Sequence, residues 1–342
     1  MPLASLPRTR LASQLLARPS AATPHAVVAA MGALQAQEYG SMAWAIGARL
    51  ATGTLAHVEA AIEGGLLVRS WPLRGTMHVV AAEDLAWMMR LTAPAALART
   101  ATRRAQHGLT ADVLKRGEKV VRKALDGGAR LTRTEVEARL AQAGLTLSSH
   151  AVQHLLFYLA LHDLVCLGPR RGRDGTFVLR EAWAPRQRAL QGDEALGTLA
   201  TRFLHTRAPA RAEDFAWWTG LTLGRAREAL ALAESIEPAA PAPAGTAHLL
   251  PGWDEYILSY KERTQILAPE RATAIVPGGN GIFLPMLVVD GKVVGTWKRT
   301  LTKRAVRVTL APFDALGTRA LRAVSHAAER YGDFLERSVE LS

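Results

Sequence analysis

One plan recurs three times along the 342 residues and constrains the fold more than any single motif. Two or three helices are followed by a short β-hairpin rich in Gly, Arg or Pro. In the first block, helices are predicted over 10–17, 24–35 and 55–63, and alternating segments over 66–71 and 75–81 flank Pro72-Leu73-Arg74. In the second, Thr132-Arg133-Thr134-Glu135 is a capping-box start, Gly144 ends that helix and Ser148-Ser149 opens the next. Strands over 164–168 and 176–179 follow, joined by a turn that carries Arg170, Arg171 and Arg173. The third block offers helices over 194–206, 211–218 and 223–233, then a Pro- and Ala-rich loop over 238–247. Beyond it, strands over 282–289 and 292–297 flank Asp290-Gly291, the strongest hairpin signal in the chain, and a last helix is predicted over 313–331.

That plan is the winged helix. It predicts an α+β, mainly helical fold of three tandem units: 1–108, 109–190 with a basic wing, and 191–342 with a C-terminal β-hairpin and helix. A formal net charge of +12 favours a polyanionic partner, nucleic acid before anionic membrane. Of the 42 basic residues 35 are arginine, which with abundant alanine also fits GC-rich codon usage, so charge alone supports DNA binding only in part. Cys166 is the single cysteine and sits in the apolar run Leu164-Val165-Cys166-Leu167, which excludes an internal disulfide and predicts an inert buried thiol. No apolar run approaches the ~20 residues of a membrane helix, and a cytoplasmic, nucleoid-associated protein is expected.

No Gly-rich phosphate loop, His-Glu-x-x-His or nucleophile elbow occurs, which disfavours nucleotide hydrolases, zinc proteases and α/β hydrolases; neither a cofactor nor a metal is expected. His150 and His154 have the i, i+4 spacing of metal ligands, but no carboxylate or Cys accompanies them. They are expected to face DNA or another part of the chain, while Val152, Leu155, Leu156 and Leu159 form the core stripe of the same helix.

Gln35-Ala36-Gln37 closes the apolar stretch 26–34 and precedes Glu38-Tyr39-Gly40-Ser41. Residues i and i+2 of a helix point about 200° apart, so two glutamines share a pocket there only if the helix unwinds between them; Gly40 marks the break. With Trp44 downstream, with Arg69-Ser70-Trp71-Pro72-Leu73-Arg74-Gly75-Thr76-Met77-His78 and with Leu250-Pro251-Gly252-Trp253-Asp254-Glu255-Tyr256, this segment resembles the bacterial AlkZ-like DNA glycosylases.

The resemblance implies a monomer of three winged helices in a C shape, its partner double-stranded DNA with alkylated or crosslinked purines. Its activity would be hydrolysis of the N-glycosidic bond of N7-alkylated purines, with interstrand crosslinks unhooked by some members. Gln35 and Gln37 would be the catalytic pair, positioning water and stabilising an oxocarbenium-like sugar. An N7-alkylated guanine already carries positive charge, so its departure needs no strong general acid and uncharged amides suffice.

DNA or substrate contacts are expected from Ser41, Trp44, Arg69, Trp71, Arg74 and His78, from Arg170, Arg171 and Arg173, and from Lys298 and Arg299, with the hairpin 282–297 probing the groove. For Arg69 to His78 the alternative is that Trp71 and Met77 face inward and His78 is structural. For the second wing it is a solvated loop. Asp254 and Glu255 are adjacent, so on a strand they would point to opposite faces; one of them is expected to tie down local structure, and no mechanism requires either. The rival functions are a non-enzymatic winged-helix regulator, usually a symmetric dimer, and a protein-interaction module, which has little need of surplus positive charge.

Overall fold

Asp290 and Gly291 both take positive φ, 51° and 81°, as a two-residue hairpin turn requires, and join strands Met286–Val289 and Lys292–Leu301. In the computed structural model, which describes residues 5–342, this hairpin belongs to a five-stranded sheet. Its order is Ser338–Leu341, Ala305–Pro312, Lys292–Leu301, Met286–Val289, Ala247–Leu250, antiparallel throughout except for the parallel pairing of the first two. The first strand of the hairpin begins four residues later than predicted, after Pro285, which has no N–H to give to a ladder. The second continues through Lys298 and Arg299, which the sequence reading placed beyond it. Ala305–Pro312 was not predicted, although its signal is present: buried Val306 and Val308 alternate with exposed Arg307 and Thr309.

The chain divides into two compact units. One joins the described residues up to Val58 to Gly197–Trp218 and Thr222–Ser342; the other is Glu59–Leu196 with Thr219–Leu221. In the first, helix Thr318–Leu335 lays Val324, Ala327, Ala328, Tyr331 and Phe334 on one stripe. Tyr331 meets Trp44 and Trp297 edge-on, at 4.8 and 5.1 Å between ring centroids. The two indoles donate to Leu249 O and Leu250 O, at 2.6 and 2.8 Å, which ties this aromatic core to the sheet. His248, on the same strand, is buried, and burial followed by Arg330 and Arg49 pushes its pKa down to about 4.

In the second unit, strands run in the order Thr76–Ala81, Leu67–Leu73, Val165–Arg171, Asp174–Leu179, Leu131–Thr132. Both predicted hairpins are present, each with a bulge, and share one sheet through Arg69 opposite Leu167. The capping box is made: Glu135 N donates to Thr132 Oγ1 at 3.3 Å, and Thr132 N to Glu135 Oε2 at 2.7 Å. Val152, Leu155, Leu156 and Leu159 are buried as expected, with Cys166, whose thiol burial pushes up to about 12.

Candidate functional site

The glutamines do not close a helix: Gln35 ends a two-residue strand, and Gln37 lies in the bend before the next helix. The preceding helix, Pro24–Met31, stops at Gly32, whose φ of 75° glycine adopts without a Cβ penalty, and Leu34–Gln35 is strand. Burial alternates along the segment: Leu34 and Ala36 are wholly buried, Gln35 is half-buried and Gln37 exposed. Gly40 is not the break either. It sits in the first turn of helix Tyr39–Gly47, where a Cβ would collide with the guanidinium of Arg299.

Glu38 is the N-cap of that helix. Its Oε1 accepts from Gly40 N at 2.9 Å and its Oε2 from Ser41 N at 2.6 Å, and Arg299 Nη2 approaches Oε2 at 3.3 Å while Nη1 donates to Tyr331 OH at 2.9 Å. Partial burial raises the pKa of Glu38, but Ser41, Gly40 and Arg299 together outweigh it and hold the carboxyl below its ordinary value. It is a fixed negative charge next in sequence to Gln37.

Two buried ion pairs stand behind the motif. Gln35 N donates to Glu255 Oε1 at 3.1 Å. Glu255 Oε2 accepts from Arg207 Nη2 (3.2 Å), Trp218 Nε1 (3.0 Å) and Ser259 Oγ (2.7 Å). Arg207, fully buried and stacked 4.3 Å over Trp218, donates in turn to Met31 O at 2.9 Å and Ala33 O at 3.3 Å. One ion pair thus holds the backbone at three points across residues 31–35. The second is bidentate: Arg49 donates to both oxygens of Asp254, at 2.8 and 2.9 Å, and to Gln14 Oε1 at 2.9 Å, while Gln14 Nε2 reaches Glu255 O at 3.2 Å. Asp254 and Glu255 are not on a strand; Asp254 caps the short helix Glu255–Leu258. The adjacency of the two acids was the only sequence signal for this network. Arg49 and Arg207 gave none, because an isolated arginine reads as surface.

Of the other expected contacts in this unit, Ser41 is half-buried at the cap and Lys298 is exposed on its strand. Trp44 is 3% exposed with its N–H bonded inside the core, so it supports the helix that follows the motif and has no face for a substrate.

In the second unit, Arg69 and His78 are buried, which corrects the expectation that they meet phosphates. Arg69 Nη2 contacts Met77 Sδ at 3.1 Å, and His78 Nδ1 lies 2.8 Å from Thr76 O. Trp71 packs edge-on against Phe157 at 5.6 Å. Arg74 forms the hairpin turn with φ 55°. On the other wing Arg171 is held by Glu135 Oε1 at 2.6 Å and Arg130 O at 2.7 Å, Arg170 bonds Arg173 O at 3.1 Å, and the Arg173 side chain is exposed. His154 and His150 stack on His107, at 4.6 and 6.2 Å, and no group of three or more His, Cys, Asp or Glu among the described residues is placed to hold a metal.

This mixed α+β chain belongs to the family of the AlkZ-like DNA glycosylases, whose model matches residues 28–334. Members of this family hydrolyse N-glycosyl bonds in DNA. Among characterised proteins the chain is similar to the interstrand DNA cross-link repair glycosylase of Streptomyces sahachiroi, 28% identical over 262 residues that span 68% of this chain and 70% of the relative. Its fold matches the solved structure of Streptomyces sahachiroi DNA glycosylase AlkZ with a TM-score of 0.79, 23% identity and 99% of both chains covered.

Proposed function

We propose that the protein releases N7-alkylated purines from double-stranded DNA, and unhooks interstrand crosslinks made through such bases, with Gln35 and Gln37 holding the attacking water and stabilising the cationic sugar. The observation that carries this reading is that both carboxamides are left outside the core on a segment whose backbone is clamped by Glu255 and Arg207. Neither amide is sealed in the core. Geometry held before substrate arrives is what makes a weak polar group effective against developing charge. A cationic purine leaves as a neutral molecule, so the site has no need of a proton donor, and Glu38, with both oxygens engaged, serves as fixed charge and not as a base.

Duplexes bearing N7-methylguanine, uracil and a defined interstrand crosslink, resolved on a denaturing gel after incubation, test this. Release of methylguanine and crosslink but not of uracil is expected; efficient uracil release would contradict the leaving-group argument. Because no catalytic group titrates near neutrality, the rate of methylguanine release should be flat from about pH 6 to 9. DNA binding without any release would leave a non-enzymatic binder. The protein is proposed to act as a monomer, and Arg74, Arg173 and Lys298 are proposed as phosphate contacts.

A further inference from the structure

Glu38 and Ser41 also form one edge of a hollow of about 220 Å³ walled by Trp253, Ile282, Phe283 and Pro285. Larger hollows of about 500 and 450 Å³ exist, but neither is lined by any residue from 35 to 41. We propose that the smaller one is a subsite for a planar apolar substituent carried by the damaged base, a single aromatic ring system attached at N7. This rests on the proposed reading of Gln35 and Gln37.

The wall is deliberately built. Gly252 lies so close to Phe283 O that a Cβ would fall 2.5 Å from it, so the segments 251–253 and 281–285 are locked face to face only because glycine stands there. Trp253 holds φ at 58°, an unfavourable conformation for a bulky side chain, and its Nε1 donates to Gly281 O at 2.9 Å. Ile282 is 46% exposed at the rim, an apolar surface with water as its neighbour. The two charges at the edge, Glu38 and Arg299, are 3.3 Å apart and offset one another, so the hollow selects for no net charge. Its volume falls below the ~300 Å³ at which pockets begin to enclose whole drug-sized ligands, so it suits one ring system. Position supplies the rest. Glu38 directly follows Gln37, and a substituent on N7 projects from the outer edge of the base into the major groove, where protein beside the motif can take it without disturbing the stack.

The test is a ratio of affinities. Two duplexes are made with 2′-fluoro sugars that resist hydrolysis, one with N7-methylguanine and one with N7-benzylguanine, and binding is read by fluorescence anisotropy. The wild-type protein should bind the benzyl duplex about tenfold more tightly, and Phe283→Ala and Ile282→Ala should each bring the ratio toward one. Ile282 is exposed, so its variant keeps the test decisive should Phe283→Ala not fold. Equal affinities in the wild type, or a benzyl preference that survives both changes, overturns the subsite. Parallel incubations with ordinary sugars separate this from the enzymatic reading. Release of both bases with equal affinities would sink the subsite alone, whereas a benzyl preference with no release of either base would support the subsite and sink the reaction.

Discussion

The glutamine segment and the arginine-bearing hairpins of the second unit are built in opposite ways. At the glutamines, the charges lie inside: Glu255 with Arg207 and Asp254 with Arg49 are buried, and they hold a backbone that presents neutral amides outward. At the hairpins, two of the marked polar side chains, Arg69 and His78, have gone into the core, and a surface cation such as Arg171 is spent on a surface carboxylate. A charge taken out of water fixes geometry, because it must be fully satisfied to be tolerated. A charge left in water supplies long-range attraction and little rigidity. Precision and affinity are thus assigned to different kinds of residue.

The largest test of that contrast is Arg207→Ala, which strands a buried carboxylate. It should destabilise the protein by about 3–5 kcal/mol in urea denaturation, with Arg207→Lys retaining part of the loss. A cost below about 1 kcal/mol would break the comparison. Next comes Gln37→Ala, expected to slow base release by about 10²–10³-fold while DNA affinity changes little, since the amide acts on charge that develops only in the transition state. His248 sharpens the picture through pH. Above its ordinary pKa of 6.5 it is neutral in both states; below that the unfolded chain takes up a proton that the folded protein refuses until about pH 4. Stability is therefore full above pH 6.5 and falls between 6.5 and 4 by as much as about 3 kcal/mol. His248→Leu should remove that part of the decline in thermal melts. The smallest effects belong to the second wing. Arg171→Ala should cost at most about 1 kcal/mol, and Arg173→Ala should lower the slope of log affinity against log salt by about one, more than Arg171→Ala does. Equal slopes would mean that Glu135 does not restrain Arg171.

Local chemistry carried much of the fold into the sequence. Asp290-Gly291 demanded positive φ, Thr132 and Glu135 formed their reciprocal cap, and the stripe from Val152 to Leu159 was buried as its spacing required. The glutamine segment was misread as helix because Ala26 to Leu34 is apolar without a decisive period, and Gly32, the true stop, was passed over for Gly40. The partners that define the motif could not be read locally. Glu255 and Arg207 become legible only once residues far apart in sequence share a core, and the rim of aromatic residues around Trp253 depends on loop geometry that no periodicity encodes.

The hydrogen bond from Gln35 N to Glu255 spans 220 residues. At ribosomal speeds of about 5–20 residues per second, Glu255 is made roughly 10 to 45 s after Gln35. During that interval the nascent segment lacks the carboxylate that holds Gln35 N. Completion of the clamp around Gln35 is therefore a late event of biosynthesis, and refolding from denaturant should be slow, as expected for a topology ruled by distant contacts.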